Sequence, residues 1–226
     1  MDYLCPVDLD QALAAMRGGA RVLAGGTDLY PQAGVRLTGP VVDLAAVAGL
    51  SGISRSAQGL RIGACTDWTT LAEADLPPAC AALQQAALQV GGRQIQNMGT
   101  IGGNLCNASP AADGVPPLLA LDAVVELAGP KGSRRIPLSA FITGPRRTAL
   151  ALGEVLVAVH LPQAALPGRS AFEKLGARAY LVISIAMVAV RLQVEGGQIT
   201  AAAVAVGACS PVARRVPGVE AALLGP

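Results

Sequence analysis

The chain has 226 residues, of which 52% are hydrophobic and 14% charged, and its net charge is +2. That length accommodates one large domain or two small ones with an ample core, and the near-neutral balance excludes nucleic acid and an anionic membrane as bulk electrostatic partners. An exterior this poor in charge points to a face covered by a partner, although alanine bias is a serious competing explanation.

Asp2 places an acid where a secretory signal would carry a basic region, and no apolar stretch follows it, so no signal is expected. The longest apolar run, residues 180–190, is too short to cross a bilayer. Cytoplasm is the expected compartment, without membrane insertion. The cysteines (Cys5, Cys65, Cys80, Cys106, Cys209) are odd in number and form no C-x-x-C pair. Reduced thiols are expected, and neither a zinc site nor a disulfide framework.

In chain order, Leu9, Ala12, Leu13 and Met16 share one helical face, with Asp8 and Gln11 spaced as a capping box and Gly18-Gly19 as the stop. Short strands follow at residues 21–24, 41–44 and 60–64. Thr66-Asp67 starts a helix through Leu71 and Ala74, and Pro77-Pro78 restarts one over residues 79–90. Residues 93–107 show neither period and read as a loop. A short apolar helix covers 116–121, and residues 123–128 and 134–137 read as a hairpin. A strand at 154–161 ends at Pro162. Residues 162–169 make a plausible junction, after which strands are expected at 170–175, 182–194 and 199–207. The last two turn at Gly196-Gly197, and a final helix covers 218–224.

Two glycine-rich stretches stand out. The first, Leu23-Ala24-Gly25-Gly26-Thr27-Asp28, leaves a strand end; the second, Gly99-Thr100-Ile101-Gly102-Gly103-Asn104, runs on to Asn107 and to Ser109-Pro110-Ala111-Ala112-Asp113. Glycine permits positive φ and brings main-chain amides close to a ligand, and successive amides in such a turn form a concave anion site. Two such bends converging would suit the adjacent phosphates of a dinucleotide. Neither stretch is the G-x-G-x-x-G or G-x-x-x-x-G-K-[ST] pattern, so a nucleotide here needs another architecture. An ordinary tight turn is the competing reading for either stretch alone.

Together, and in this order, the two stretches resemble the FAD-binding medium subunit of the molybdenum hydroxylases, the family of carbon monoxide dehydrogenase, the bacterial xanthine dehydrogenases and 4-hydroxybenzoyl-CoA reductase. The resemblance covers nearly the whole chain. It implies an α+β, PCMH-type FAD-binding fold: a small α/β unit over residues 1–58, a second subdomain with a mixed or antiparallel sheet over 59–165, and a strand-rich C-terminal domain over 166–226. That last domain looks short beside the family's. Some members of the family carry a cysteine-rich insertion with an iron–sulfur cluster just after the second stretch; only Cys106 stands there, so no cluster is expected in this chain.

The same resemblance implies the site. Leu23, Ala24, Gly25, Gly26, Thr27 and Asp28 would grip the FAD pyrophosphate, and Thr100, Ile101, Gly102, Gly103 and Asn104 would close around it. Asp113 would reach the ribityl and ring end, where a helix cap is its plainer role. Leu156 matches a position that touches the ring, though a core leucine explains it nearly as well. Lys174 matches a lysine placed near the ring, where it would stabilise the reduced flavin; an exposed strand lysine is the alternative. The run from Tyr180 to Ser184 departs from the family pattern, and Phe172 and Tyr180 are the aromatic candidates for the ring. No catalytic acid, base or nucleophile and no metal site is expected, and with His160 as the single histidine no hydrolytic triad can be built. His160 reads as structural, and Arg146-Arg147 as solvated charges.

The implied function is electron transfer. The expected partners are a large molybdopterin-binding subunit and a small [2Fe–2S] subunit, with NAD or a quinone as external acceptor. Two alternatives stand beside it: a flavin-free assembly subunit and a stand-alone flavin reductase.

Overall fold

The computed structural model describes residues 2–34, 37–179 and 181–224. Three larger sheets and one two-stranded hairpin lie along them, and the α+β organisation read from the sequence is borne out. The first sheet is wholly parallel, with β1 (Tyr3–Leu4) and β2 (Arg21–Leu23) on either side of β3 (Val41–Asp43). α1 (Leu9–Met16) connects β1 to β2, and the single turn α2 (Leu29–Gln32) follows β2. α1 starts where its sequence says: Asp8 Oδ1 accepts from the Gln11 amide at 2.8 Å, and Gln11 Oε1 accepts from the Val7 amide at 3.4 Å.

The second sheet is antiparallel. Its strands are β4 (Ile53–Ser56), β5 (Gly59–Gly63), β6 (Val124–Gly129), β7 (Gly132–Pro137) and, after α8 (Leu138–Phe141) and the small hairpin β8 (Ile142–Gly144) and β9 (Arg147–Thr148), β10 (Val155–Pro162). β10 arrives last and takes the centre, in the order β4-β5-β10-β6-β7. Both of its faces are covered. Val155 and Val157 pack with Ala12, Val42 and Leu44 of the first unit, while Leu156, Val159 and Leu161 join the main core. A strand buried on both sides must be apolar at consecutive positions, which is why 155–159 reads Val-Leu-Val-Ala-Val without alternation. The boundary expected at residue 58 falls inside the β4–β5 hairpin, whose register runs from Ile53 opposite Ile62 to Ser56 opposite Gly59.

Between β5 and β6 lie α3 (Trp68–Glu73), α4 (Ala81–Gln89), α5 (Arg93–Met98), α6 (Ile101–Asn107) and α7 (Val115–Ala120). Residues 93–107, expected as a loop, are therefore two helices. Each is too short to show a helical period, and glycines at 102 and 103 mask the propensity of the second.

The third sheet orders β11 (Arg169–Leu175), β12 (Ala186–Glu195), β13 (Gln198–Gly207) and β14 (Arg214–Arg215) side by side, all antiparallel, with α9 (Pro217–Leu223) at the end. The β12–β13 turn puts Gly196 and Gly197 at φ +59° and +82°, as a tight hairpin needs. Phe172, Met187, Ala189, Ala203 and Ala205 carry this sheet into the main core. The strand expected from residue 182 begins only at Ala186. Leu181 takes a left-handed φ of +53° and Ile183 is 80% exposed, so the apolar alternation there faces outward rather than onto a neighbour strand. Among the described residues, no helix is long and apolar enough to cross a membrane.

Candidate functional site

β2 ends at Leu23, whose carbonyl accepts from the Leu44 amide at 2.8 Å, and the chain leaves the sheet into Gly25-Gly26. Gly26 sits at φ +71°, where a side chain would be strained. Gly25 is glycine for a different reason. A Cβ there would stand 1.7 Å from the Met98 carbonyl oxygen, because the two glycine segments cross at this point. Among the described residues, no protein group accepts from the main-chain amides of Gly25, Gly26, Thr27 or Asp28. A run of unspent amides through a left-handed turn is a concave anion site.

The second segment behaves differently. Thr100 caps α6, its Oγ1 accepting from Gly103 N at 3.0 Å. Ile101 N donates to Thr66 O at 3.0 Å, Gly102 N to Ala64 O at 2.8 Å and Asn104 N to Thr100 O at 3.0 Å. The expectation that both bends turn free amides toward a ligand is thus corrected: in the second, the amides of residues 101–104 are already spent. Gly102 serves close packing, since a Cβ would lie 2.6 Å from Ala64 O. At Gly103 a Cβ would meet only Thr100 Oγ1, at 3.0 Å, and would otherwise enter open space. What α6 offers in place of amides is a side chain. Asn104 Oδ1 is buried and has no hydrogen-bond partner among the described residues. A buried orphan acceptor calls for a donor from outside the protein.

Between the two segments opens a cleft of about 520 Å³, within the usual size range of small-molecule sites. Ala24, Gly25, Gly26, Thr27, Asp28, Thr100, Gly102, Gly103, Asn104 and Leu156 all line it. Four other expected residues do not. Leu23 and Ile101 are 3% and 0% exposed in the packed interior. Asp113 and Lys174 pair with each other instead, Oδ2 to Nζ at 2.7 Å, and Ser184 Oγ donates to Asp113 Oδ1 at 2.7 Å. The exposed-lysine alternative for Lys174 fails, because its side chain is 7% exposed. Phe172 is a core residue at 3% exposed, and Tyr180 lies outside the described residues.

Trp68, Val90, Ile95, Cys65, Cys106 and Glu154 are among the other lining residues, and sequence reasoning did not assign them to the site. Cys106, inside the second glycine-rich stretch, and Glu154, two residues before Leu156, are the two that the sequence could have pointed to. Glu154 is held ionised: the forked hydrogen bonds of Arg134, at 2.7 Å to each oxygen, keep its carboxyl down at about 2. The two thiols go the other way. Burial pushes Cys65 up to about 11, and Cys106, whose exposed area opens into a cleft ringed by protein, up to about 12. Both are therefore largely protonated at physiological pH and react only slowly, through the small thiolate fraction. The wall chemistry is mixed. One rim has the amide arrangement that suits an anion, one buried acceptor lacks a donor among the described residues, and apolar side chains cover the rest, a donor set that fits a flavin dinucleotide.

Comparison with known proteins gives the same answer. Residues 1–164 match the family model described as the FAD binding domain in molybdopterin dehydrogenase, and residues 170–226 that of the CO dehydrogenase flavoprotein C-terminal domain. The chain is 36% identical over 201 residues to the xanthine dehydrogenase FAD-binding subunit of Escherichia coli O157:H7, covering 85% of this chain and 68% of that one. It is 34% identical over 209 residues to the carbon monoxide dehydrogenase medium chain of Afipia carboxidovorans, covering 90% and 72%. In structure it resembles reconstituted CO dehydrogenase from Oligotropha carboxidovorans, with a TM-score of 0.89 at 31% identity, over 100% of this chain and 80% of that one. With two domains matched in order and the cleft lying in the first, the chain belongs to the FAD-binding family of the molybdopterin dehydrogenases and is a flavin-dependent oxidoreductase subunit.

Proposed function

We propose that this chain is the electron-transfer subunit of a heterotrimeric molybdenum hydroxylase. It works beside a large molybdopterin-binding subunit and a small [2Fe–2S] subunit, in the cytoplasm, and relays electrons between the clusters and an external acceptor or donor such as NAD or a quinone. FAD, when bound, supplies the exchange between one-electron and two-electron transfer. The protein supplies binding and orientation. The free amides of residues 25–28 and the Thr27 hydroxyl hold the diphosphate, and Asn104 Oδ1 accepts from a hydroxyl or N–H of the cofactor. Leu156, Val155 and Trp68 keep water from the apolar part of the site. Asp113 and Lys174 act as a buried support behind Asn104, since a Cβ at the neighbouring Gly114 would lie 3.1 Å from Asn104 Oδ1.

The observation that carries the reading is the asymmetry of the cleft, unspent amides on one wall and an orphan acceptor on the other, in a chain of this family. The test is to purify the complex and record its visible spectrum. Flavin bands that bleach when the substrate of the molybdenum site is added, and do so only with the small subunit present, support the relay. A colourless complex whose chain is indifferent to added FAD overturns it in favour of an assembly role. Oxidation of NAD(P)H by the chain alone overturns it in favour of a stand-alone reductase.

A further inference from the structure

Three segments meet at the mouth of the cleft through a chain of hydrogen bonds. Asp28, in the first glycine segment, accepts from Asn107 Nδ2 at 2.9 Å. Asn107 ends α6 and takes the Arg146 guanidinium twice, on its side-chain Oδ1 and, at 3.2 Å, on its main-chain carbonyl. Arg146 lies in the β8–β9 turn, and its own amide donates to Ala108 O at 2.8 Å. The Asn107 amide is thereby oriented: its oxygen faces a cation and its N–H a carboxylate, and a flipped amide would set like partners against each other.

The arrangement answers an electrostatic difficulty. Asp28 brings a carboxylate to the lining of a cleft whose amides suit a diphosphate. The amide of Asn107 passes the positive charge of Arg146 on to it, at one remove, and holds the carboxylate to one side. The backbone is fixed at the same point. Ala108 and Arg146 have φ of +46° and +57°, values that non-glycine residues keep only where their surroundings determine them. Asp28 belongs to the parallel-sheet unit, and Asn107 and Arg146 belong to the antiparallel one, so the relay joins the two walls of the cleft.

We propose that Arg146 is a positioning residue which, through Asn107, ties the first glycine segment to α6 at Asp28 and so sets how firmly FAD is held. The proposal rests on the cofactor reading above. Because the three side chains lie near the surface, the effect is modest.

The test uses the full chain and the variants Arg146→Ala, Arg146→Lys, Asn107→Ala and Arg146→Ala with Asn107→Ala. FAD affinity is read by the quenching of flavin fluorescence. Arg146→Ala raises the dissociation constant about three- to five-fold. Asn107→Ala does the same, the double variant adds nothing further, and Arg146→Lys recovers most of the loss because an ammonium still donates to Asn107 Oδ1. A second readout needs no cofactor. Alkylation of the cleft thiol Cys106, mapped by mass spectrometry on the FAD-free chain, speeds up in Arg146→Ala as the walls part. Additive losses, or a loss that lysine does not recover together with a lower melting temperature, overturn the relay and mark Arg146 as hairpin support only. An affinity and a Cys106 rate both unchanged also overturn it. If the unsubstituted chain fails to quench FAD, the cofactor reading falls by itself. The thiol rate then decides the tie alone: faster in Arg146→Ala supports it, unchanged overturns it.

Discussion

Lys174 Nζ lies 2.7 Å from Asp113 Oδ2, with the two side chains only 7% and 10% exposed, and it joins β11 to the turn that follows α6. Both charges have left water, so each depends on the other. Removing one partner of such a pair leaves an uncompensated buried charge, at about 3–5 kcal/mol. Lys174→Met is expected to lower unfolding stability by about that amount, seen as a fall in the urea midpoint. Asp113→Leu combined with Lys174→Met should recover most of it. A double variant as unstable as Lys174→Met alone would mean that packing, and not charge, accounts for the loss.

The two glycines of α6 should respond differently to alanine. In Gly102→Ala the new methyl meets Ala64 O at 2.6 Å and Ala64 Cβ at 2.7 Å, a clash with main chain that cannot relax cheaply. It should destabilise the chain by about 1–3 kcal/mol. Gly103→Ala meets only Thr100 Oγ1 and replaces a poor helix former, so the fold should lose little. Its methyl enters the cleft instead, and the expected result is weaker FAD binding at nearly unchanged melting temperature. Equal melting temperatures for the two variants would contradict the packing given to Gly102.

Asn104→Ala separates binding from stability by sign. Its Oδ1 is a buried acceptor that no protein group satisfies among the described residues, so deleting it costs the FAD-free chain little or nothing. With FAD present, the lost hydrogen bond should weaken affinity about ten-fold. Titration with FAD and a melting curve without it give the two halves. A FAD-free chain clearly less stable than the parent would show that Asn104 had a protein partner after all.

Acid should loosen the cleft wall at Glu154. The Arg134 hydrogen bonds depress its carboxyl to about 2, below the ordinary 4.5. A depressed carboxyl contributes stability that is fully present above the unfolded value and is lost as pH falls through the folded one. The contribution should therefore be constant above pH 4.5 and disappear between there and about pH 2. Glu154→Gln removes the charge at every pH, and with Arg134 partly exposed to solvent the loss near neutrality should be about 1 kcal/mol or less. Its melting temperature should converge on that of the parent toward pH 2. Parallel curves over that range would sink the assignment of the pair.

Much of the scaffold was legible because its signals are local. Asp8 with Gln11 fixes the start of α1, Gly196-Gly197 the turn of the third sheet, and the apolar run ending at Pro162 the strand β10. Residues 93–107 were misread for an equally local reason: two helices of one to two turns carry too few apolar positions to show a period. The strand start at residue 182 was misread because alternation of apolar residues does not say whether a partner strand lies alongside.

The sequence by itself determined where the glycine segments are and that a dinucleotide suits them, because composition and short-range order decide which backbone conformations a stretch can take. Only the tertiary structure decided how each segment serves. Gly25 and Gly102 are needed for what crosses them, the Met98 carbonyl and Ala64, which no local pattern encodes. Whether an amide is free or spent depends likewise on which acceptors the fold brings within 3 Å, as Ala64 and Thr66 are brought to α6 while none of the described residues brings one to the amides of 25–28. Hydrogen bonds and buried charges act through space, so Lys174 with Asp113 and Arg146 with Asn107 acquire their roles only once the sheets have packed.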